Sequence, residues 1–193
     1  MPRPREFDRD RALERAMQIF WRHGYEETSA AMLVEGIGIA RSSLYATFGD
    51  KERLYAEAVE LYVSDLRQRV GGALAAEGPP LEVLEGFLRD VARRGKGGRR
   101  VRCCMVVRAA LAGPDCPAVV RRRVADAIAD LDAAFLALLQ RADRAGELRA
   151  GLDLEASSRF LTSTFQSLNL AALAGRDTEH QLDLVERAVA SLR

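Results

Sequence analysis

Apolar residues recur every three or four positions along nearly the whole chain, and no run shows the two-residue alternation of a strand, so the pattern predicts an all-α fold. Asp8 is placed to cap a first helix with the inward stripe Leu13, Ala16, Met17 and Phe20, and Gly24 lies just past its end. Thr28 is placed to cap a short second helix carrying Ala30, Leu33 and Val34, which Gly36-Ile37-Gly38-Ile39 terminates. A third helix begins near Ala40 and runs to about Ala46. Asp50 caps a longer fourth, with Leu54, Ala58, Leu61 and Leu66 on one side, that fades into Gly71-Gly72.

Pro79-Pro80 suits the first turn of a fifth helix, whose apolar face is Leu81, Leu84, Phe87, Leu88 and Val91. Glycines and basic residues fill the loop from Gly95 to Arg100. A sixth helix carries Cys104, Met105 and Leu111 and ends at Gly113-Pro114. Pro117 opens a long seventh in which Val120, Val124, Ala127, Leu131, Phe135, Leu138 and Ala142 keep the helical period until Gly146. Asp153 and Asp177 cap two final helices over 153–174 and 177–192, giving nine in all.

Composition narrows the function classes. The chain has 193 residues, 48% of them hydrophobic and six of them proline, as in a globular protein. No segment reaches the roughly 18 apolar residues of a membrane span, and the N-terminus has no apolar core of a signal peptide, so a cytoplasmic protein is expected. The three cysteines are an odd set, and reduced thiols are expected. There is no serine–histidine–acid set, glycine-rich nucleotide loop or metal cluster, and His23 and His180 lie at opposite ends, so neither catalysis nor a bound metal or cofactor is expected.

The informative stretch is "RSSLYATFGDKERLY", residues 41–55. Two short helices joined by a tight glycine turn make a helix-turn-helix, whose second member can enter the DNA major groove. If Leu44 and Phe48 face inward, Arg41, Ser42, Ser43, Tyr45, Thr47 and Lys51 surround the outside of a short, glycine-terminated helix. Arginine can fork onto guanine, serine and threonine can bond to bases or phosphates, and tyrosine and lysine can hold phosphate oxygens. A solvated helix corner is the bland alternative.

Net charge does not supply the attraction. The whole chain carries +1, and residues 1–55 hold nine Lys or Arg against nine Asp or Glu. Placement of the charges must provide it, with Arg3 and Arg5 as a candidate minor-groove arm.

Through "ALERAMQIFWRHGYEETSAAMLVEGIGIARSSLYATFGDKERLYAEAV" the sequence resembles the TetR/AcrR family of bacterial transcriptional regulators; Tyr45 to Glu52 carries its most specific signature. "CCMVVRAAL" and "ADRAGELRAGLDLEASSRFL" are similar to the ligand-binding halves of some members. The resemblance implies an Ω-shaped homodimer, with a helix-turn-helix DNA-binding domain at 1–50 and a ligand-binding and dimerisation domain at 51–193. It also implies a repressor released from a palindromic double-stranded operator by a small molecule. Carried over, base or phosphate contacts fall on Ser29, Arg41, Ser42, Ser43, Tyr45, Thr47 and Lys51. Ala40 stands where many relatives have a capping serine, and Thr47 replaces a common histidine.

Other candidates stay open between two readings. Phe87, Met105, Leu111, Phe135 and Phe165 are candidate pocket residues, although at helical spacing each is by itself more simply core. "SSRFLTSTFQSLNLAALAG" resembles the helix that pairs across the family's dimer, with Phe160, Thr164 and Leu168 as interface candidates, or it is a helix packed within one chain. Cys103 and Cys104, as helix neighbours, point about 100° apart so that only one faces the core. With Cys116 they support an alternative, a thiol- or metal-responsive regulator, and a helical adaptor that binds only proteins is a further one. The Arg93–Arg100 run reads as a hydrated loop rather than a second nucleic-acid site.

Overall fold

The computed structural model describes residues 7–94 and 103–193; Arg3, Arg5 and most of the Arg93–Arg100 run lie outside these. Nine α-helices are formed among the described residues: α1 Arg9–His23, α2 Ala30–Ile37, α3 Arg41–Phe48, α4 Lys51–Leu74, α5 Pro80–Arg94, α6 Met105–Leu111, α7 Ala118–Arg144, α8 Leu154–Leu173 and α9 Thr178–Ala190. No strand occurs among them.

Helix α4 is the axis. Its N-terminal half packs on α1, and its length packs on α7, which lies in turn against α8, while α5 fits among α7, α8 and α9. Tyr55, Ala58, Val59 and Tyr62 are buried along α4 because they face α1 on one side and the larger body on the other. Phe20 of α1 meets Tyr55 with ring centroids 4.8 Å apart, and Trp21 meets Tyr62 edge-on at 5.2 Å.

Asp8, Asp50, Asp153 and Asp177 all cap helices, each accepting backbone N–H bonds from the first turn. Four boundaries differ from the sequence expectation. Ser29, not Thr28, caps α2, accepting from the Met32 amide at 3.2 Å. Thr28 is buried instead, and its hydroxyl donates back to the Gly24 carbonyl. Helix α3 starts one residue later than expected and continues to Phe48, whose burial secures the last turn. Helix α4 does not fade at Gly71-Gly72: Val70 and Leu74 are buried, and Arg141 of α7 reaches over to donate to the terminal carbonyls of Leu74 at 2.7 Å and Ala76 at 3.0 Å.

The fourth difference concerns the thiols. Cys103 and Cys104 precede α6 rather than riding on it, so the helical 100° offset does not apply and both are buried. A 3-10 turn, Gly113–Asp115, then leads to the buried Cys116.

Phe135 is fully buried at the centre of the body, its ring 6.1 Å from that of Phe87. Phe135→Ala is expected to cost about 3–5 kcal/mol of unfolding free energy, read from the midpoint of urea denaturation at an unchanged slope. A loss below about 1 kcal/mol would mean that the body is not packed around this ring.

Candidate nucleic-acid interface

The corner between α2 and α3 is held from behind. Arg15 of α1 donates to the carbonyl of Ile37 at 2.7 Å, satisfying the end of α2, while Gly38 turns the chain at φ 80°, ψ 32°, a conformation that suits glycine. Gly36 permits close contact with α1, since a Cβ there would come within 2.6 Å of Ile19 Cδ1. Leu44 and Phe48, one turn apart on α3, are buried, so the opposite face turns outward. Arg41, Ser42 and Ala46 are exposed, and Ser43, Tyr45 and Thr47 are half-buried at its flanks.

Ala40 provides no side-chain cap for α3. The first amides of α3 are therefore open to an outside acceptor. Ser29 is exposed at the start of α2, its oxygen already accepting from Met32 while its O–H remains able to donate.

The cations at this corner are set by rings. The Arg41 guanidinium lies 5.7 Å from the Tyr45 ring centre, and Lys51 Nζ lies 4.3 Å from the centre of Tyr25. Among the described residues neither cation forms an ion pair. Arg9 and Arg53 are paired with Glu57 and Asp50. Partial burial, then Glu52, Glu26 and Asp50, push the Tyr25 phenol above its ordinary pKa, so it stays protonated and able to donate. Tyr25 was not among the sequence candidates, because only the fold brings the turn after α1 beside Lys51.

Residues 12–58 match the family model "Bacterial regulatory proteins, tetR family", and residues 80–189 match "Tetracyclin repressor-like, C-terminal domain". The chain is also 30% identical to the HTH-type transcriptional regulator YezE of Bacillus subtilis (strain 168), with 100% of both chains covered. The chain belongs to the TetR family. Another relative, the HTH-type transcriptional repressor ComR of Escherichia coli (strain K12), is 29% identical over 94% of this chain and 87% of its own. Among solved structures, a cysteine mutant of the TetR family transcriptional regulator CifR, complexed with a 26-base-pair double-strand operator DNA, superposes with a TM-score of 0.87 at 33% identity, covering 100% of both chains.

The body of this TetR-family chain redistributes the other candidates. Phe87 and Phe165 stack at 6.0 Å and help line a cavity of about 200 Å³ between α4, α5 and α8. Met105 and Phe135 are buried but are not part of that wall. Leu111 is 57% exposed, because α6 is only two turns long and its last residue points away from the body. Of the three interface candidates only Phe160 is on the surface, at 44% exposure. Thr164 is buried with its hydroxyl bonded to the Phe160 carbonyl, and Leu168 faces inward to the cavity. Leu170 and Leu173 are the large apolar residues that α8 exposes besides Phe160.

All three thiols are free and buried, and no group of three or more metal-ligating side chains occurs among the described residues. Burial raises the pKa of Cys103 and Cys116 above the ordinary thiol value, against the opposing pull of Arg108 and Arg121. A raised pKa keeps the unreactive protonated form at neutral pH. Alkylation by iodoacetamide at pH 7.5, followed by mass spectrometry, is expected to be far slower at Cys103 and Cys116 in the native chain than in urea. Equal rates in the two states would return these thiols to the list of sensor candidates.

Proposed function

We propose that this chain is a repressor that binds a palindromic double-stranded operator as a homodimer and leaves it when a small molecule enters the larger domain. The observation that carries the reading is α3 itself. Leu44 and Phe48 anchor one side of it, and the other side presents an exposed arginine and serine with a flanking serine, tyrosine and threonine. Operator binding by CifR and the repressor name of ComR support it.

In this reading the reading head spans about 1–50 and the sensing and dimerising domain 51–193, with α4 opening the latter. Arg41 and Ser42 meet base edges, Ser29, Ser43, Tyr45 and Thr47 meet bases or phosphates, and Lys51 holds a phosphate oxygen. Tyr25 joins them as a phosphate donor beside Lys51. Two such heads must stand roughly 34 Å apart, one turn of the duplex, to enter successive major grooves on one face. The exposed side of α8, with Phe160, Ser163, Ser167 and Leu170, is the pairing surface that sets this spacing. The site of action is the cytoplasm, where the operator is; among the described residues no helix is long and apolar enough to cross a membrane.

A gel-shift titration on a duplex selected from a random pool by the wild-type protein tests the contacts. Arg41→Ala is expected to weaken binding by about 1–3 kcal/mol per half-site and to relax preference at one position. Lys51→Ala is expected to weaken binding to all sequences alike and to flatten the salt dependence by about one unit of slope per protomer. Wild-type affinity in both variants would refute these assignments.

A further inference from the structure

The cavity behind the reading head has a chemistry that selects its occupant. Four aromatic side chains line it: Trp21 from α1, Tyr62 from α4, Phe87 from α5 and Phe165 from α8. Its volume of about 200 Å³ is of the order of the roughly 150 Å³ engineered apolar cavity that takes up benzene. One aromatic ring with a short substituent fills such a space.

Most polar groups on this wall are already satisfied. The Asn169 side chain accepts from the Cys104 amide at 2.9 Å and donates to the Phe165 carbonyl at 2.9 Å. Burial and the neighbouring Cys104 push the Tyr62 phenol well above its ordinary pKa, so it stays protonated and neutral on this wall. Arg69 differs. Its Nε donates to the backbone carbonyl of Asp65 at 3.2 Å and its guanidinium lies 5.7 Å from the Tyr62 ring centre, but it forms no ion pair among the described residues. Arg69 stands where the cavity meets a solvent-facing depression between α1 and α4, for Trp21, Tyr62 and Arg69 line both.

We propose that this cavity is the effector site and takes a monocyclic aromatic carboxylate, its ring against Phe87 and Phe165 and its carboxylate paired with Arg69 at the mouth. A charged head left at an apolar mouth is tolerated only if paired, and the planar guanidinium offers a forked partner for a carboxylate. The occupant touches Trp21, whose indole N–H donates to the Cys103 carbonyl at 2.6 Å. Helix α1 of the reading head is thereby tied to the segment that opens α6, and filling the cavity bears on that tie. The effect on DNA rests on the repressor reading above; the binding itself does not.

Trp21 is the single tryptophan in the chain, so its fluorescence reports occupancy without a label. The full-length protein is titrated with benzoate and phenylacetate and, in parallel, with the neutral benzamide and phenylacetamide. At least one acid is expected to give a saturable change with an affinity roughly tenfold or more above that of its amide. Arg69→Gln, exposed at the mouth and checked for folding by circular dichroism, is expected to erase this preference, and Arg69→Lys to retain part of it. No saturable change with any acid, equal affinities for acid and amide, or a preference that survives Arg69→Gln would overturn the proposal. The same acid added to a preformed operator complex is expected to release the DNA. An Arg69-dependent fluorescence response in a protein that binds no DNA would support the site and overturn the repressor reading instead.

Discussion

Burial of Tyr55, Ala58, Val59 and Tyr62 on one unbroken α4 is the constraint from which the remaining architecture follows. Three short helices enclose too little apolar surface to hold a fixed shape by themselves. Helix α4 gives them a wall: Phe20 and Tyr25 meet Tyr55, and Trp21 meets Tyr62. The same helix continues to Leu74 through the body, fastened at its far end by Arg141. One helix thus contributes side chains both to the packing of α1 and to the core of the body.

Electrostatics at the head depends on position rather than on amount. Nine basic residues against nine acidic ones in the first 55 leave no net field to attract a polyanion. The folded corner separates the two sets functionally: Arg9 and Arg53 are paired with acids, while Arg41 and Lys51 are held by tyrosine rings. A ring orients a cation without cancelling its charge.

Local signals made much of this visible in the sequence. The aspartate caps, the inward stripe of α7 and the inward pair Leu44 and Phe48 follow from spacing and side-chain chemistry, and the structure has them there. Errors arose where two residues offered the same local chemistry, as Thr28 and Ser29 did for the α2 cap, or where a distant partner overrode a local rule, as Arg141 did at Gly71-Gly72. In the body, hydrophobicity could not tell which face of a helix met which neighbour. Leu111 reads like Met105 in the sequence, yet one is exposed and the other buried; Leu168 and Thr164 turn inward while Leu170, two residues after Leu168, does not. Tyr25, Trp21 and Arg69 gain their places only from contacts between α1, α4 and the start of α6, which no local window contains.

The indole of Trp21 grips a main-chain oxygen, not a side chain. Every amino acid at position 103 presents that same oxygen, so a substitution there can change the side chain beside the junction while leaving its fastening chemistry intact. The fastening of α1 to the segment before α6 is in that sense indifferent to the side chain beside it.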